Sequence, residues 1–353
     1  MYVSENSHRT SSSSKSRDYL NYMDQFRGIS IILIVLTHVY PFQFLPFWGW
    51  NVVQNASVFF IFISGFFTHH LYREEEPVGA FFQRKGVRIL LPYFLSCLPG
   101  IFLVWLNSPE SIDASFIVWT IITGVGHYND AHWYAPFILL ILLSYPIWRY
   151  LIQHNETLIP ATCFYMIVSL FTFRSEGNAN PLISFIHFFG VFMLGMSASL
   201  CSQSLYRILR QHCWTVVVLG FAAWAIIMPF VGLSQSMSME KMLSSGRLNI
   251  DLTLLAKLFL ILPLLAIFLR LSDSARSSML LKLFSQMSFG IFFWHFYSIY
   301  LVDQIGAFLE LNNAYWWIIF RPLIVIGLVM CFLMFIGQIF PRLSLYFTSP
   351  QRK

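Results

Sequence analysis

Arg27-Gly28-Ile29-Ser30-Ile31-Ile32-Leu33-Ile34-Val35-Leu36-Thr37-His38-Val39 is an apolar run closed at each end by an ionisable side chain. Eleven residues of α-helix advance about 1100°, back to within roughly 20° of the starting face, and rise about 16 Å. Arg27 and His38 therefore share one stripe. A hydrocarbon core is about 30 Å thick, so an arginine at one interface places this histidine near the midplane. Ionisable groups at that depth are costly and mark functional sites by default. The plain alternative is a packed histidine, with Arg27 as an interfacial anchor.

The rest of the chain repeats the pattern of that run. Hydrophobic residues make up 57% of the 353 and charged residues only 11%, against roughly 25% charged in a soluble domain. The reading is an all-α, polytopic transmembrane helix bundle. Apolar stretches fall near 26–45, 51–72, 88–106, 133–151, 157–173, 181–201, 213–232, 251–270, 283–305 and 314–340, about ten spans. The last is long enough to be tilted or broken at Arg321-Pro322. A shallower piece at 113–126 reads as re-entrant or interfacial. Residues 1–18, with the serines at 11–14, read as a disordered cytoplasmic tail, residues 19–342 as the membrane domain, and 343–353 as a second cytoplasmic tail. No cleavable signal peptide is expected, because the first apolar run begins too late.

Basic residues set the orientation. With the N-terminus inside, 17 of the Lys and Arg residues fall on the cytoplasmic side and three, Arg174, Lys241 and Arg247, on the other, with Lys257 and Arg321 inside spans. That bias is the positive-inside pattern and predicts cytoplasmic N- and C-termini in the inner membrane. The net charge of +6 then implies no nucleic-acid partner. The five cysteines, Cys97, Cys163, Cys201, Cys213 and Cys331, show no paired spacing, so neither a disulfide nor a metal site is expected. The chain has no phosphate-cradling glycine loop and no duplicated half, which argues against an ATP-driven pump.

Two further segments carry chemistry or packing. Phe59-Phe60-Ile61-Phe62-Ile63-Ser64-Gly65-Phe66-Phe67 places Ser-Gly where a helix bends or a neighbour comes close. Arg84-Lys85-Gly86-Val87-Arg88 runs into Ile89-Leu90-Leu91-Pro92-Tyr93. Lys85 and Arg88 are helical neighbours, as an interfacial anchor or as a clamp on phosphates.

In this order the segments resemble the acyltransferase 3 family of membrane acyltransferases. His132-Trp133-Tyr134 is similar to that family's His-Leu-Trp-Phe-Leu segment, without the Leu between His and Trp. Phe289-Gly290-Ile291-Phe292-Phe293-Trp294-His295 is similar to its late Tyr-Gly-Ile-Tyr-Leu-x-His segment. The resemblance runs from about Tyr19 nearly to the end. It implies transfer of an acyl group, commonly acetyl, from cytoplasmic acyl-CoA to a hydroxyl, with acyl-CoA as a donor substrate and no permanently bound cofactor. The family's first-span Arg and His fall on Arg27 and His38, and its paired basic residues on Lys85 and Arg88. Lys85 stands where the family pattern has Arg, which keeps the charge but loses the bidentate fork.

The chemistry suits those positions. Acyl transfer to an alcohol needs a base near the hydroxyl, donors for the developing oxyanion and an anchor for an anionic headgroup. His38 is the expected catalytic base, since a neutral imidazole accepts a proton near pH 7. A covalent acyl-histidine is an alternative course. Arg27, Lys85 and Arg88 are the expected donor-binding residues. Ser64, His132, His295 and Arg321 are expected to bind or orient substrate; for His295 packing, and for Arg321 snorkelling to the outer interface, are the plain readings. His187, His69 and His70 read as packing or interfacial, and the many Phe and Trp residues as lipid-facing. The function is read as O-acylation of a surface or exported polysaccharide. The rivals are a non-enzymatic glycan exporter or flippase, and an acyltransferase acting on a lipid, peptide or small-molecule alcohol.

Overall fold

In a computed structural model of the chain, described for residues 9–40, 46–72, 74–124, 129–174, 180–234, 250–272, 275–311, 315–342 and 347, the opening apolar run is the C-terminal part of one helix, α1 (Arg9–Val39). That helix begins at Arg9 and so takes in residues 9–18 as well; once an apolar core nucleates a helix, adding polar turns to its end costs little. The remaining tail residues, 1–8, 343–346 and 348–353, lie outside the described residues. So do Arg73, Lys241, Arg247, Arg352 and Lys353 of the charge count.

Helices follow one another along the chain: α2 (Phe47–Val53), α3 (Ser57–His70), α4 (Val78–Asn107), α5 (Ala114–Thr123), α6 (Tyr134–Leu143), α7 (Tyr145–Gln153), α8 (Asn155–Phe171), α9 (Pro181–Leu200), α10 (Ser202–Gln211), α11 (Cys213–Ser234), α12 (Leu252–Ser272), α13 (Ala275–Phe308) and α14 (Tyr315–Ile339). The fold is all-α, with no strand among the described residues.

Helices occupy most of the described part of each of the ten expected apolar stretches. Among the described residues six helices, taking α2 and α3 as one, are by length and composition alone able to cross a membrane, and up to seven if the bent α6–α7 pair is a single span. The physical reasons are local. Pro146 lies in the first turn of α7, and without an N–H it cannot continue α6; the pair bends by 55°. Asn55, at φ 57°, separates α2 from α3, in a left-handed conformation that Asn tolerates better than most residues. α8 is only 17 residues long. α1 and α13, at 31 and 34 residues, are diluted by Asp24 and Arg27 or by His295, Asp303 and Gln304. By contrast α14 passes unbroken through Pro322. The stretch expected to be re-entrant or interfacial contains the short helix α5.

Close helix packing builds the frame of the site. α1 lies along α13, and a side chain on Gly28 would run into the backbone of Leu281. α3 lies along α9 with reciprocal glycines: Gly65 faces the backbone of Phe192, and Gly195 faces that of Phe62. Ser-Gly in α3 therefore marks close approach, not a bend, in the manner of membrane helices that use small residues to meet.

The aromatic residues depart from a wholly lipid-facing role. Phe26, Phe59, Phe62, Phe66, Phe137, Phe188, Phe189 and Phe192 are fully buried between helices, where their rings fill the grooves beside the small residues. Trp119 and Trp214, 64% and 71% exposed, keep the expected outward role.

A cationic cavity and a histidine pair

Arg27 and His38 both turn toward α13. Arg27 Nε donates to Ser285 Oγ at 2.8 Å, and the His38 ring lies 5.5 Å from that of His295, centroid to centroid. Ser285 and His295 are ten residues apart and Arg27 and His38 eleven, so the two contacts are rungs on a parallel helix pair. Arg27 also pairs with Asp24 at 3.2 Å and sits over the Phe67 ring at 5.1 Å.

The first rung opens into a cavity of about 970 Å³ counting the open space at its mouth. Arg27 from α1 and Lys85 and Arg88 from α4 line it together, and none of the lining residues is acidic. The neighbouring Arg84 is drawn away by Glu76, which takes both its Nε and Nη2 at 2.8 and 2.5 Å. Beyond the cations the walls are apolar, with Phe60, Ile63, Ile138 and Ile141. Ser64 supplies one of few polar groups. Its hydroxyl donates to the Phe60 carbonyl at 2.8 Å, which leaves Tyr134 to donate to Ser64 Oγ at 3.1 Å.

His38 is not among the residues lining this cavity. An aromatic layer stands between. Phe60 and Tyr134 line the cavity; Phe60 stacks on Phe292 at 5.6 Å, and Tyr134 meets the same ring at 4.9 Å. Phe292 in turn lies 6.3 Å from His295. On the far side His38 packs on Phe296 at 4.6 Å, yet its side chain stays exposed. His295, beside it, is fully buried.

The other expected site residues separate into different roles. His132 lies apart from the cavity, in a buried network. Asn129 Nδ2 donates to His132 Nε2 at 2.9 Å and to the Phe293 carbonyl at 2.8 Å, while Ala131 N donates to Asn129 Oδ1 at 3.1 Å. Ser96 Oγ lies 2.9 Å from the same His132 nitrogen but donates to the Tyr93 carbonyl at 2.8 Å. Nε2 already accepts a hydrogen bond from Asn129, and the contacts together join α4, the segment leading into α6, and α13. Arg321 does not snorkel: its Nη1 donates to the Val39 carbonyl at 2.9 Å and its Nη2 pairs with Asp303 at 2.5 Å. Lys257 is buried against the end of α2, donating to the carbonyls of Asn51 and Val52. His187 is held by the Thr172 carbonyl at 2.6 Å, and His69 by Ser199 at 3.0 Å.

Tyr134, Phe292, Ser285 and Asn129 receive no role in the sequence reading, although Tyr134 and Phe292 lie in its family-like segments, and only the packing of α6 and α13 against α1 and α3 gives them a place. Among the described residues no three His, Cys, Asp or Glu side chains gather as a metal site. The cavity instead combines three cationic side chains with largely apolar walls.

A family model described as an acyltransferase domain matches residues 20–336. The chain belongs to the acyltransferase 3 family. As a member of that family with several helices able to cross a bilayer, it is a multi-pass membrane acyltransferase. Searches of curated proteins and of solved structures found no match. In this acyltransferase the match takes in every helix from α2 to α13, with most of α1 and α14, and so covers both rungs of the α1–α13 pair.

Proposed function

We propose that this protein is an O-acyltransferase of the cytoplasmic membrane, taking an acyl group, commonly acetyl, from cytoplasmic acyl-CoA and placing it on a hydroxyl of a surface or exported polysaccharide. The observation that carries the donor assignment is the cavity in which Arg27, Lys85 and Arg88 converge without an acid among the lining residues. CoA is a polyanion with a long, flexible arm, and charge-assisted hydrogen bonds to phosphate are strong in such surroundings. The apolar walls suit the arm, and the Ser64–Tyr134 pair offers hydroxyls to its amides. The cations fall on the side that the positive-inside pattern assigns to the cytoplasm, where the donor is made.

His38 is the proton acceptor in this reading. It takes the proton of the acceptor hydroxyl as that oxygen attacks the thioester carbonyl; the carbon–oxygen bond forms, the carbon–sulfur bond breaks, and the proton passes on to the departing thiolate to give CoA. Donor and acceptor then meet across the layer of Phe60, Tyr134 and Phe292, on the side where His38 is exposed.

Acetyl-CoA binding to purified Arg27→Ala, Lys85→Ala and Arg88→Ala proteins tests the donor site. Each is expected to bind about 10–100-fold more weakly, the scale of one charge-assisted hydrogen bond. Unchanged affinity in all three folded variants would return the cations to a purely topological role. His38→Ala is expected to retain acetyl-CoA but to stop consuming it, with a rate loss of about 10²–10⁴. A wild-type protein that neither binds nor consumes acetyl-CoA would favour the glycan exporter.

A further inference from the structure

His295 holds an unused acceptor next to His38. Its Nδ1 lies 2.8 Å from the Phe292 carbonyl and 3.1 Å from that of Ile291. Carbonyls only accept, so Nδ1 carries the proton and Nε2 is a bare lone pair. That nitrogen is buried and has no hydrogen-bond partner, a state that folded proteins seldom leave without cause. The rings that touch His295 are Phe292, Phe296 and His38, and only His38 among them bears an N–H. Two imidazoles joined by an N–H···N bond have centroids roughly 5 Å apart. The two rings stand close to that spacing, with centroids 5.5 Å apart.

We infer that His295 is a positioning residue whose Nε2 accepts the N–H of His38, fixing His38 in the tautomer that leaves its other nitrogen free to take the proton of the acceptor hydroxyl. The inference rests on the reading of His38 as proton acceptor. A carboxylate would orient the ring as well, but an anion in this apolar surrounding carries a large desolvation cost. A second histidine, locked by its own helix backbone, presents the same lone pair without a charge. When His38 takes the proton, its imidazolium N–H becomes a charge-assisted donor to His295, so the bond strengthens as charge develops and assists the reaction where it is needed.

The test uses diethyl pyrocarbonate, a small acylating electrophile, on the full-length protein in detergent, with carbethoxylation of each histidine followed by peptide mass spectrometry. His212, exposed between α10 and α11, reports the reagent dose, and His187, 1% exposed, stays unreactive while the chain is folded. Replacing His295 by Phe or Leu is expected to slow reaction at His38 by about tenfold or more. His295→Gln, whose amide oxygen can stand near the Nε2 position, is expected to keep most of the rate. Acetyl-CoA turnover should follow the same order through kcat, with KM for acetyl-CoA unchanged. His38 reacting equally fast with Phe or Leu at 295, or Gln proving as slow as Phe, would overturn the inference. Acetyl-CoA consumption persisting in His38→Ala would instead overturn the catalytic reading of His38, whichever way the carbethoxylation rates fall.

Discussion

Arg321 donates from Nη1 to the carbonyl of Val39 at 2.9 Å, closing the C-terminus of α1 one residue beyond His38. Carbonyls at a helix end lack intrahelical partners, and a cation there is favoured by the helix dipole. The same guanidinium pairs with Asp303 on α13 at 2.5 Å, so one side chain of α14 braces both helices that carry the histidine pair.

Removing that brace should cost stability unevenly. The Asp303 side chain is 41% exposed, and solvent screening limits such an ion pair to about 1 kcal/mol or less. The charged bond to Val39 contributes about 1.5–3 kcal/mol. Arg321→Met is therefore expected to destabilise more than Asp303→Asn. Thermal unfolding of the two variants and their double mutant would show this, and equal effects would assign the brace to the ion pair alone.

Lys257 offers a contrast, because its partners are backbone carbonyls and the Phe59 ring at 5.7 Å. It caps α2 where Asn55 interrupts the helical run. Lys257→Met should lower stability by about 1–3 kcal/mol, the cost of leaving buried acceptors unpaired, while acetyl-CoA affinity stays the same. A variant with normal stability and altered donor binding would move Lys257 into the site.

Asn129 donates one hydrogen bond to α13 and one to His132, and accepts a third from Ala131 N within its own loop. Asn129→Ala should destabilise by about 2–4 kcal/mol, since several buried partners are orphaned together. His132→Phe should also lower the unfolding temperature yet leave measurable turnover. Complete loss of turnover in His132→Phe at unchanged stability would mark His132 as catalytic.

Gly65 and Gly195 sit where added side chains would meet the backbones of Phe192 and Phe62. Gly65→Ala and Gly195→Ala are each expected to destabilise by about 1–3 kcal/mol through overpacking. The double variant should cost less than the sum, because the first forces apart the helix pair that the second also needs. Midpoints of detergent-phase unfolding for all three proteins measure it.

The cation at one end of the first apolar run, the histidine at the other and their common helical face are legible in the residues, because an α-helix has one period and Arg27 and His38 lie on it. The cations of α4 are legible as a cluster only. Glu76 removes Arg84 from the cavity, and no spacing rule reports a partner eight residues upstream across a turn. His132 and His295 have the same residue type and a similar apolar context. One is satisfied by Asn129 and the other is left with a bare nitrogen. That distinction depends on what the neighbouring helices bring.

The sequence by itself determined that this is a helical membrane protein of the acyltransferase 3 family, since apolar run length and motif order are local, one-dimensional properties. Tertiary structure alone decided which helices are continuous, and that Arg27, Lys85 and Arg88 share one cavity while His38 lies beyond an aromatic layer. It also decided that His38 faces His295. The His38–His295 contact joins residues more than 250 positions apart, through packing in which Gly28 lets α1 approach α13, and local propensity carries no term for it.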